Sequence, residues 1–184
     1  MRRIFVAVNI SEEARQRAAD YIALLRGGEP TRGMSWVHPE KLHLTLRFIG
    51  NCDEDDLQKV LSSAQFAAEN DGRFTLNISG TGVFPSAKRA RVLWLGVGGE
   101  IDKMAKAADL FNGAFGSKGE HEVFKPHLTI ARVKDASKNR EIISKHVNWQ
   151  FEPVEFEVSE IVVYESELHP KGSIYSAVAR YVLG

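Results

Sequence analysis

The stretch Leu42-His43-Leu44-Thr45-Leu46-Arg47-Phe48 has a second version later in the chain, Pro126-His127-Leu128-Thr129-Ile130-Ala131-Arg132. Each copy sets a His-x-Thr triplet in an alternation of apolar and polar residues, which is the pattern of a half-buried β-strand. Because successive side chains of a strand point to opposite faces, we expect His43 and Thr45 on one face and the leucines with Phe48 on the other. In the second copy, Leu128 and Ile130 take the core face and leave His127 and Thr129 outside it.

The segments around the two motifs predict the fold class. Strand patterns over 4–10, 42–50, 74–80, 91–97 and 127–133 alternate with helical patterns over 11–25, 53–68, 101–115 and 135–146, and strands over 156–164 and 174–182 close the chain. This order predicts an α+β protein of mainly antiparallel sheet, made of two related halves. We expect the halves to meet in the 70s to 90s and to exchange strands.

Composition limits the possible ligands and compartments. The 184 residues carry 24 Lys and Arg against 24 Asp and Glu, so no global charge attracts a long polyanion or an anionic membrane. A local cluster must then hold any anionic ligand, and we expect contact with one end or one nucleotide. A single cysteine, with no apolar run of membrane-spanning length and no signal peptide, favours a cytoplasmic protein, and we expect a monomer.

Two histidines of this kind suit acid–base chemistry on a phosphodiester. With an ordinary pKa of about 6.5, one imidazole can be neutral and accept a proton from water while the other is protonated and donates to the departing oxygen. The hydroxyls of Thr45 and Thr129 can donate to the non-bridging phosphoryl oxygens. The chain has no His-Glu-x-x-His run and no cysteine cluster, so we expect neither a metal nor a cofactor. A strained nucleoside 2′,3′-cyclic phosphate is the substrate that such a site fits.

The chain resembles the 2H phosphoesterase superfamily, and most closely its RNA 2′,3′-cyclic phosphodiesterases, also called 2′-5′ RNA ligases. The resemblance rests on the two His-x-Thr motifs and on three flanking stretches: the opening 3–8, the strand 91–96 and the ending 164–175. It implies a single domain over 1–184 with two pseudo-symmetric lobes, each carrying one motif, facing each other across a cleft. It also implies hydrolysis of an RNA terminal 2′,3′-cyclic phosphate to a 2′-phosphate, with His43 as proton donor and His127 as proton acceptor. The residues alone do not decide which histidine is the acid.

Several residues have two interpretations. Arg132 matches an arginine common after the second motif of the family, but simple alternation places it opposite His127, so phosphate contact requires a bend or bulge. Lys88, Arg89 and Arg91 are either a solvated loop or receivers of RNA phosphates beyond the scissile one. Phe48, Phe84 and Trp94 could stack a nucleobase, but we assign them to the core because apolar residues of strands usually lie there. The remaining histidines, His38, His121, His146 and His169, receive structural or surface roles, with His121 close enough to the second motif to touch substrate.

Two other functions compete with the hydrolase. The same site run backwards would join a cyclic phosphate to a 5′-hydroxyl, making a 2′-5′ RNA ligase. The protein could instead be an RNA-end-binding module with little turnover, although both histidines and both threonines are present. A small cyclic nucleotide is an alternative substrate to RNA.

Overall fold

The computed structural model describes residues 1–27, 31–116, 124–170 and 172–184. The nine strands of this part of the chain are β1 (Arg2–Asn9), β2 (Met34–Trp36), β3 (His43–Cys52), β4 (Phe74–Phe84), β5 (Val92–Gly99), β6 (His127–Val133), β7 (Val154–Val158), β8 (Glu160–Glu167) and β9 (Ile174–Val182). The four α-helices are α1 (Glu12–Arg26), α2 (Glu54–Asn70), α3 (Ile101–Phe115) and α4 (Arg140–Val147). Short 3₁₀ turns cover Pro39–Lys41, Ala87–Arg89 and Ser137–Asn139.

The strands form two antiparallel sheets. The first sheet has the order β3-β1-β8-β9, and the second has the order β2-β6-β5-β4-β7. The first motif lies on β3 and the second on β6, so each sheet carries one motif. The predicted α+β fold in two lobes is confirmed.

The two sheets exchange strands, as the order of the elements suggests. The early strand β2 leaves the first half of the chain and pairs with β6, while the late strands β8 and β9 return to pair beside β1. The helices are also distributed between the two sheets without following their order along the chain. Helices α2 and α3 pack against strands of the first sheet, whereas α1 and α4 pack against strands of the second.

Helix starts follow the predicted capping pattern. The Ser11 hydroxyl accepts a hydrogen bond from the backbone N–H of Ala14 at 3.1 Å, and the Asp53 carboxylate accepts one from that of Asp56 at 2.9 Å. Each side chain thereby satisfies one of the amides that the first turn of a helix leaves unpaired, which is worth about 1 kcal/mol. None of the helices in the described part of the chain is long and apolar enough to cross a membrane.

Three predicted elements are wrong in extent. The strand expected over 74–80 continues to Phe84. The helix expected from Asp135 begins only at Arg140, because the Asp135 carboxylate accepts from the Ser137 backbone N–H at 3.0 Å and holds a turn there. The strand expected over 156–164 is two strands separated at Ser159, and they belong to different sheets. A periodicity of two continues across such a crossing, so the pattern alone does not reveal it.

Both motif strands carry a β-bulge one residue after the threonine. Along β3, Thr45 pairs with Ala7 and Arg47 with Val6, which leaves Leu46 as the extra residue. Along β6, Thr129 pairs with Trp94 and Ala131 with Leu93, which leaves Ile130 extra. A bulge shifts the residues that follow it relative to simple alternation.

The bulge at Leu46, which is followed by a second register shift at Ile49, makes one core assignment wrong. Leu44 and Leu46 are buried as expected, each worth about 1.5–3 kcal/mol of transfer free energy. Phe48 is 48% exposed, because the bulge moves it off the core face and buries Ile49 instead.

Candidate active site

One cleft of about 340 Å³ lies between the two motif strands. All five residues singled out by the sequence line it: His43, Thr45, His127, Thr129 and Arg132. The two motifs come together because β3 and β6, which belong to different sheets, contact each other directly.

Both histidines are held by the same backbone contact. Nδ1 of His43 lies 2.7 Å from the carbonyl oxygen of Lys41, and Nδ1 of His127 lies 2.7 Å from that of Lys125. Because a carbonyl oxygen only accepts, each Nδ1 carries the proton and donates it. The other ring nitrogen, Nε2, is then the atom that can gain or release a proton during a reaction.

His43 lies in an aromatic corner of the first sheet. Its ring centroid is 5.0 Å from that of Phe5 and 5.6 Å from that of Tyr175. Burial lowers the pKa of His43 below its usual value, the Lys41 carbonyl opposes this, and the charges of Arg15 and Arg132 lower the pKa further. In the neutral ring, Nε2 accepts a hydrogen bond from the Thr45 hydroxyl at 3.1 Å.

His127 is supported by aromatic residues of the second sheet. The Phe84 ring lies 5.0 Å from the imidazole in an edge-on arrangement, and Trp94 lies 5.1 Å behind Phe84. The Trp94 indole rests on Gly82, where a Cβ atom would come within 2.1 Å of the ring, so only glycine allows this approach. Phe84 and Trp94 are only partly buried, and Phe84 supports a candidate catalytic group, in contrast to the predicted core roles.

The two bulges place Phe48 and Arg132 at matching positions, three residues after each threonine. Both side chains line the cleft. The bend that phosphate contact by Arg132 requires is therefore present, at Ile130. On the side of the cleft formed by the first sheet, the Arg3 guanidinium lies 4.8 Å from the centre of the Phe48 ring, which is a cation–π contact.

The cleft is cationic, although the protein is neutral overall. Arg3, Lys41 and Arg132 line it, and none of its described lining residues is an aspartate or a glutamate. The Lys41 ammonium donates to the carbonyl oxygen of Ser173 at 2.8 Å and fixes the segment before β9 against the cleft. Within the ranges given above, no three His, Cys, Asp or Glu side chains are grouped closely enough to hold a metal ion.

Sequence reasoning misses several cleft residues that come from neighbouring strands. Arg3 lies on β1, Ser166 on β8 and Tyr175 on β9, and Ser173 precedes β9. Arg3 and Tyr175 both fall in the flanking stretches that support the family resemblance, which was the available signal. The pairing of β1 with β3 gives Arg3 its place in the site, and the pairings of β1 with β8 and of β8 with β9 give Tyr175 its place.

Among the other histidines, His146 differs from the prediction. It does not act as an exposed cation at a helix end, because it is fully buried. Its Nε2 donates to the Gly82 carbonyl at 2.9 Å and its Nδ1 accepts from the Tyr21 hydroxyl at 2.9 Å, while burial lowers its pKa. His121 lies outside the described residues.

Comparisons with known proteins agree with this geometry. The RNA 2′,3′-cyclic phosphodiesterase of Thermotoga maritima is 31% identical over 179 residues, which cover 96% of this chain and 92% of that protein. The enzyme of the same name from Archaeoglobus fulgidus is 34% identical over 181 residues, covering 94% and 96%. A crystal structure of a Thermus thermophilus protein superposes with a TM-score of 0.78 at 28% identity, covering 98% of this chain and 97% of that one. The family model of LigT-like phosphoesterases matches residues 8–94 and again residues 96–175, one match for each motif. The chain belongs to the LigT-like phosphoesterase family.

Proposed function

We propose that this protein hydrolyses the 2′,3′-cyclic phosphate at the end of an RNA strand to a 2′-phosphate, without a metal ion. The observation that carries the proposal is the pair of histidines in one cationic cleft, each with Nδ1 tied to a backbone carbonyl and Nε2 left for proton exchange. The names of the curated relatives point to the same substrate.

In the proposed reaction His127 is the base and His43 is the acid. Water attacks phosphorus while its proton passes to Nε2 of His127, so a new P–O bond forms as the bond from phosphorus to the 3′ oxygen breaks. The proton on Nε2 of His43 passes to the 3′ oxygen, which leaves as a hydroxyl. Each well-placed proton transfer contributes about a hundred- to ten-thousand-fold in rate.

The environment of His43 supports its role as the acid once substrate is bound. In the free protein its pKa is lowered, so the ring is mostly neutral near pH 7. A phosphodiester anion in the cleft favours the charged form and raises the pKa. Binding of the substrate therefore favours the protonated form of His43, which can then donate its proton to the leaving 3′ oxygen.

Three other cleft residues stabilise the negative charge that develops on the phosphoryl oxygens in the transition state. Arg132 and the Thr129 hydroxyl come from β6, and both can donate to non-bridging oxygens. The Thr45 hydroxyl is released for the same role when His43 is protonated, because Nε2 of His43 then no longer accepts from it.

We also propose that residues 1–184 act as one domain with two lobes, that the protein is a monomer and that it works in the cytoplasm. The interleaved strands support the first point, since each lobe contains strands from both ends of the chain. The single cysteine is compatible with a reducing compartment.

The test is to incubate the purified protein, with EDTA, on an RNA hexamer ending in a 2′,3′-cyclic phosphate and to determine the phosphate position in the product by ³¹P NMR. A 2′-phosphate is expected, and a 3′-phosphate would overturn the assignment of the leaving oxygen. Adding excess 5′-hydroxyl RNA separates hydrolysis from the ligase reaction. Tight binding without turnover would instead favour an RNA-end-binding module.

A further inference from the structure

A second groove lies beyond the end of the catalytic cleft, on the second sheet. We define the basic groove by four exposed cations that line it, Lys88, Arg89, Arg91 and Lys134. The groove has a volume of about 470 Å³ and is separate from the cleft that holds the two histidines. None of the four residues belongs to either His-x-Thr motif.

Three segments of chain connect the wall of the basic groove with the wall of the cleft. Phe84, which supports His127, is followed directly by Pro85 in the groove wall. Arg132 in the cleft is followed two residues later by Lys134, a step of about 6–7 Å along a strand. Arg91 precedes Val92, the strand partner of Arg132.

The backbone that carries these cations is fixed. The Arg91 N–H donates to the Phe84 carbonyl at 2.7 Å, and the Arg89 N–H donates to the Ser86 carbonyl at 3.0 Å, which closes the loop between β4 and β5. The Lys134 N–H donates to the Gly33 carbonyl at 2.7 Å. The cations therefore project from a preorganised frame, which reduces the entropy lost when they bind a ligand.

Carboxylates neutralise cations elsewhere in the molecule but not in this groove. Arg2 pairs with Glu165, Arg73 with Glu157 and Arg180 with Glu160. Among the described residues, none of the four groove cations forms an ion pair, and Arg91 donates to the backbone carbonyl of Lys134 at 2.9 Å. Asp135, the one carboxylate among the described residues of the groove wall, is bound to the Ser137 hydroxyl and to Lys138. An uncompensated positive groove in a neutral protein fits an anionic ligand.

We infer that the basic groove binds the backbone phosphates that precede the terminal nucleotide, so that the substrate is an RNA oligomer rather than a free cyclic mononucleotide. This inference rests on the proposed function of the cleft. The terminal cyclic phosphate of the RNA occupies the cleft. The rest of the RNA leaves the cleft past Phe84 and Arg132 and reaches the four cations of the basic groove. The groove contributes affinity and orientation without sequence preference, as phosphate contacts do.

The test compares two substrates in two triple variants. Lys88→Gln/Arg89→Gln/Lys134→Gln removes three groove cations, and Lys59→Gln/Arg73→Gln/Lys103→Gln removes the same charge from ion pairs remote from the cleft. Arg91 is kept because of its bond to the Lys134 carbonyl. The substrates are an RNA hexamer with a 2′,3′-cyclic end and cytidine 2′,3′-cyclic phosphate, which has no further phosphate.

For the groove variant we expect kcat/KM on the hexamer to fall about tenfold or more at low salt, while turnover of the mononucleotide stays within twofold of wild type. The slope of log kcat/KM against log salt should become shallower by about 2, since each lost single-strand phosphate contact removes about 0.7. The control variant should behave as wild type. Equal kinetics of the two variants on the hexamer, or equal losses on both substrates, would overturn the inference.

Lack of turnover of both substrates by the wild-type protein would count against the proposed function but not against the groove. In that case a binding measurement tests the groove by itself. A fluorescent RNA hexamer with a terminal 3′-phosphate is titrated into the His127→Ala protein, with and without the groove substitutions. A weaker Kd with a shallower salt slope in the substituted protein supports the groove. An unchanged Kd and slope would overturn it.

Discussion

The two motif strands share a local design and differ in what surrounds it. On β3 and on β6, a histidine donates Nδ1–H to the carbonyl two residues before it, a threonine follows two residues later, and a bulge comes next. Three residues after the threonine, however, the first strand presents Phe48 and the second presents Arg132. The repeated motif thus supplies two candidate proton-transfer groups, and the residue three positions after the threonine is an aromatic ring on one strand and a guanidinium on the other.

The burial of the two histidines differs in the same way. His43 packs in the corner formed by Phe5, Tyr164 and Tyr175, and burial lowers its pKa, whereas among the described residues His127 contacts one aromatic ring, that of Phe84. The proposed division into acid and base requires the two histidines to differ, and their surroundings do differ in this way.

The largest expected effect comes from removing either histidine. His43→Ala and His127→Ala should each lower kcat/KM on the RNA hexamer by about a hundred- to ten-thousand-fold. The pH dependence of the residual activity then assigns the roles. With His127 absent, activity that depends on protonated His43 falls as the pH rises through the pKa of His43, which lies below 6.5 in the free protein.

With His43 absent, this fall should disappear, because the group whose protonated form is required is gone. A fall that persists in His43→Ala and is absent in His127→Ala would reverse the assignment of donor and acceptor. Loss of activity smaller than a few-fold in either variant would remove that histidine from the mechanism. Titration by NMR of His43 with and without inorganic phosphate supplies a check, since the bound anion should raise its pKa.

The next largest effects test the different roles expected of Arg132 and Phe48, the matching residues of the two strands. Arg132→Gln should lower kcat by about a hundredfold, as expected when one donor to a developing negative charge is lost. Phe48→Leu should chiefly raise KM, by about tenfold, because a nucleobase stacked on the ring is worth about 1–3 kcal/mol. Steady-state kinetics separates the two parameters. A fall in kcat with unchanged KM in Phe48→Leu would contradict a stacking role.

The smallest effect concerns His146, which contrasts with the cleft histidines because both of its nitrogens are already bonded. Tyr21→Phe leaves Nδ1 of His146 without a donor and should lower the free energy of unfolding by about 1–3 kcal/mol, with kcat unchanged. Urea unfolding measures the loss. An unchanged midpoint would show that the bond contributes nothing to stability.

The lowered pKa of His146 also sets the sign of a pH effect. Below about pH 6.5 the unfolded chain binds a proton that the folded protein resists, so stability is fully present above that pH and falls as the pH drops toward the folded pKa. The fall in unfolding free energy from pH 7.5 to 5.5 should be smaller in His146→Gln than in wild type.

The sequence predicts what depends on neighbours along the chain. The caps at Ser11 and Asp53, the helix over Ile101–Phe115 and the strand over His127–Val133 need only local patterns and are confirmed. The family resemblance is confirmed too, because it rests on motifs and flanks that are read directly from the chain.

The parts that could not be predicted depend on pairing between distant strands. The bulge at Leu46 turns Phe48 into the cleft, and the bulge at Ile130 brings Arg132 beside His127, yet both follow from register with β1 and β5. The crossing at Ser159 and the burial of His146 beneath β4 are likewise set by which sheet or helix lies next to them. Periodicity carries no information on such contacts.

The exchange of β2, β8 and β9 bears on whether half of the chain can fold alone. A polypeptide containing only the first motif would hold β1 and β3 but would lack β8 and β9, so one edge of β1 would be left unpaired beside the core. An unpaired edge of this kind is a template for pairing with another chain. We therefore expect a fragment cut between the two motifs to associate with other chains rather than to fold as an independent lobe.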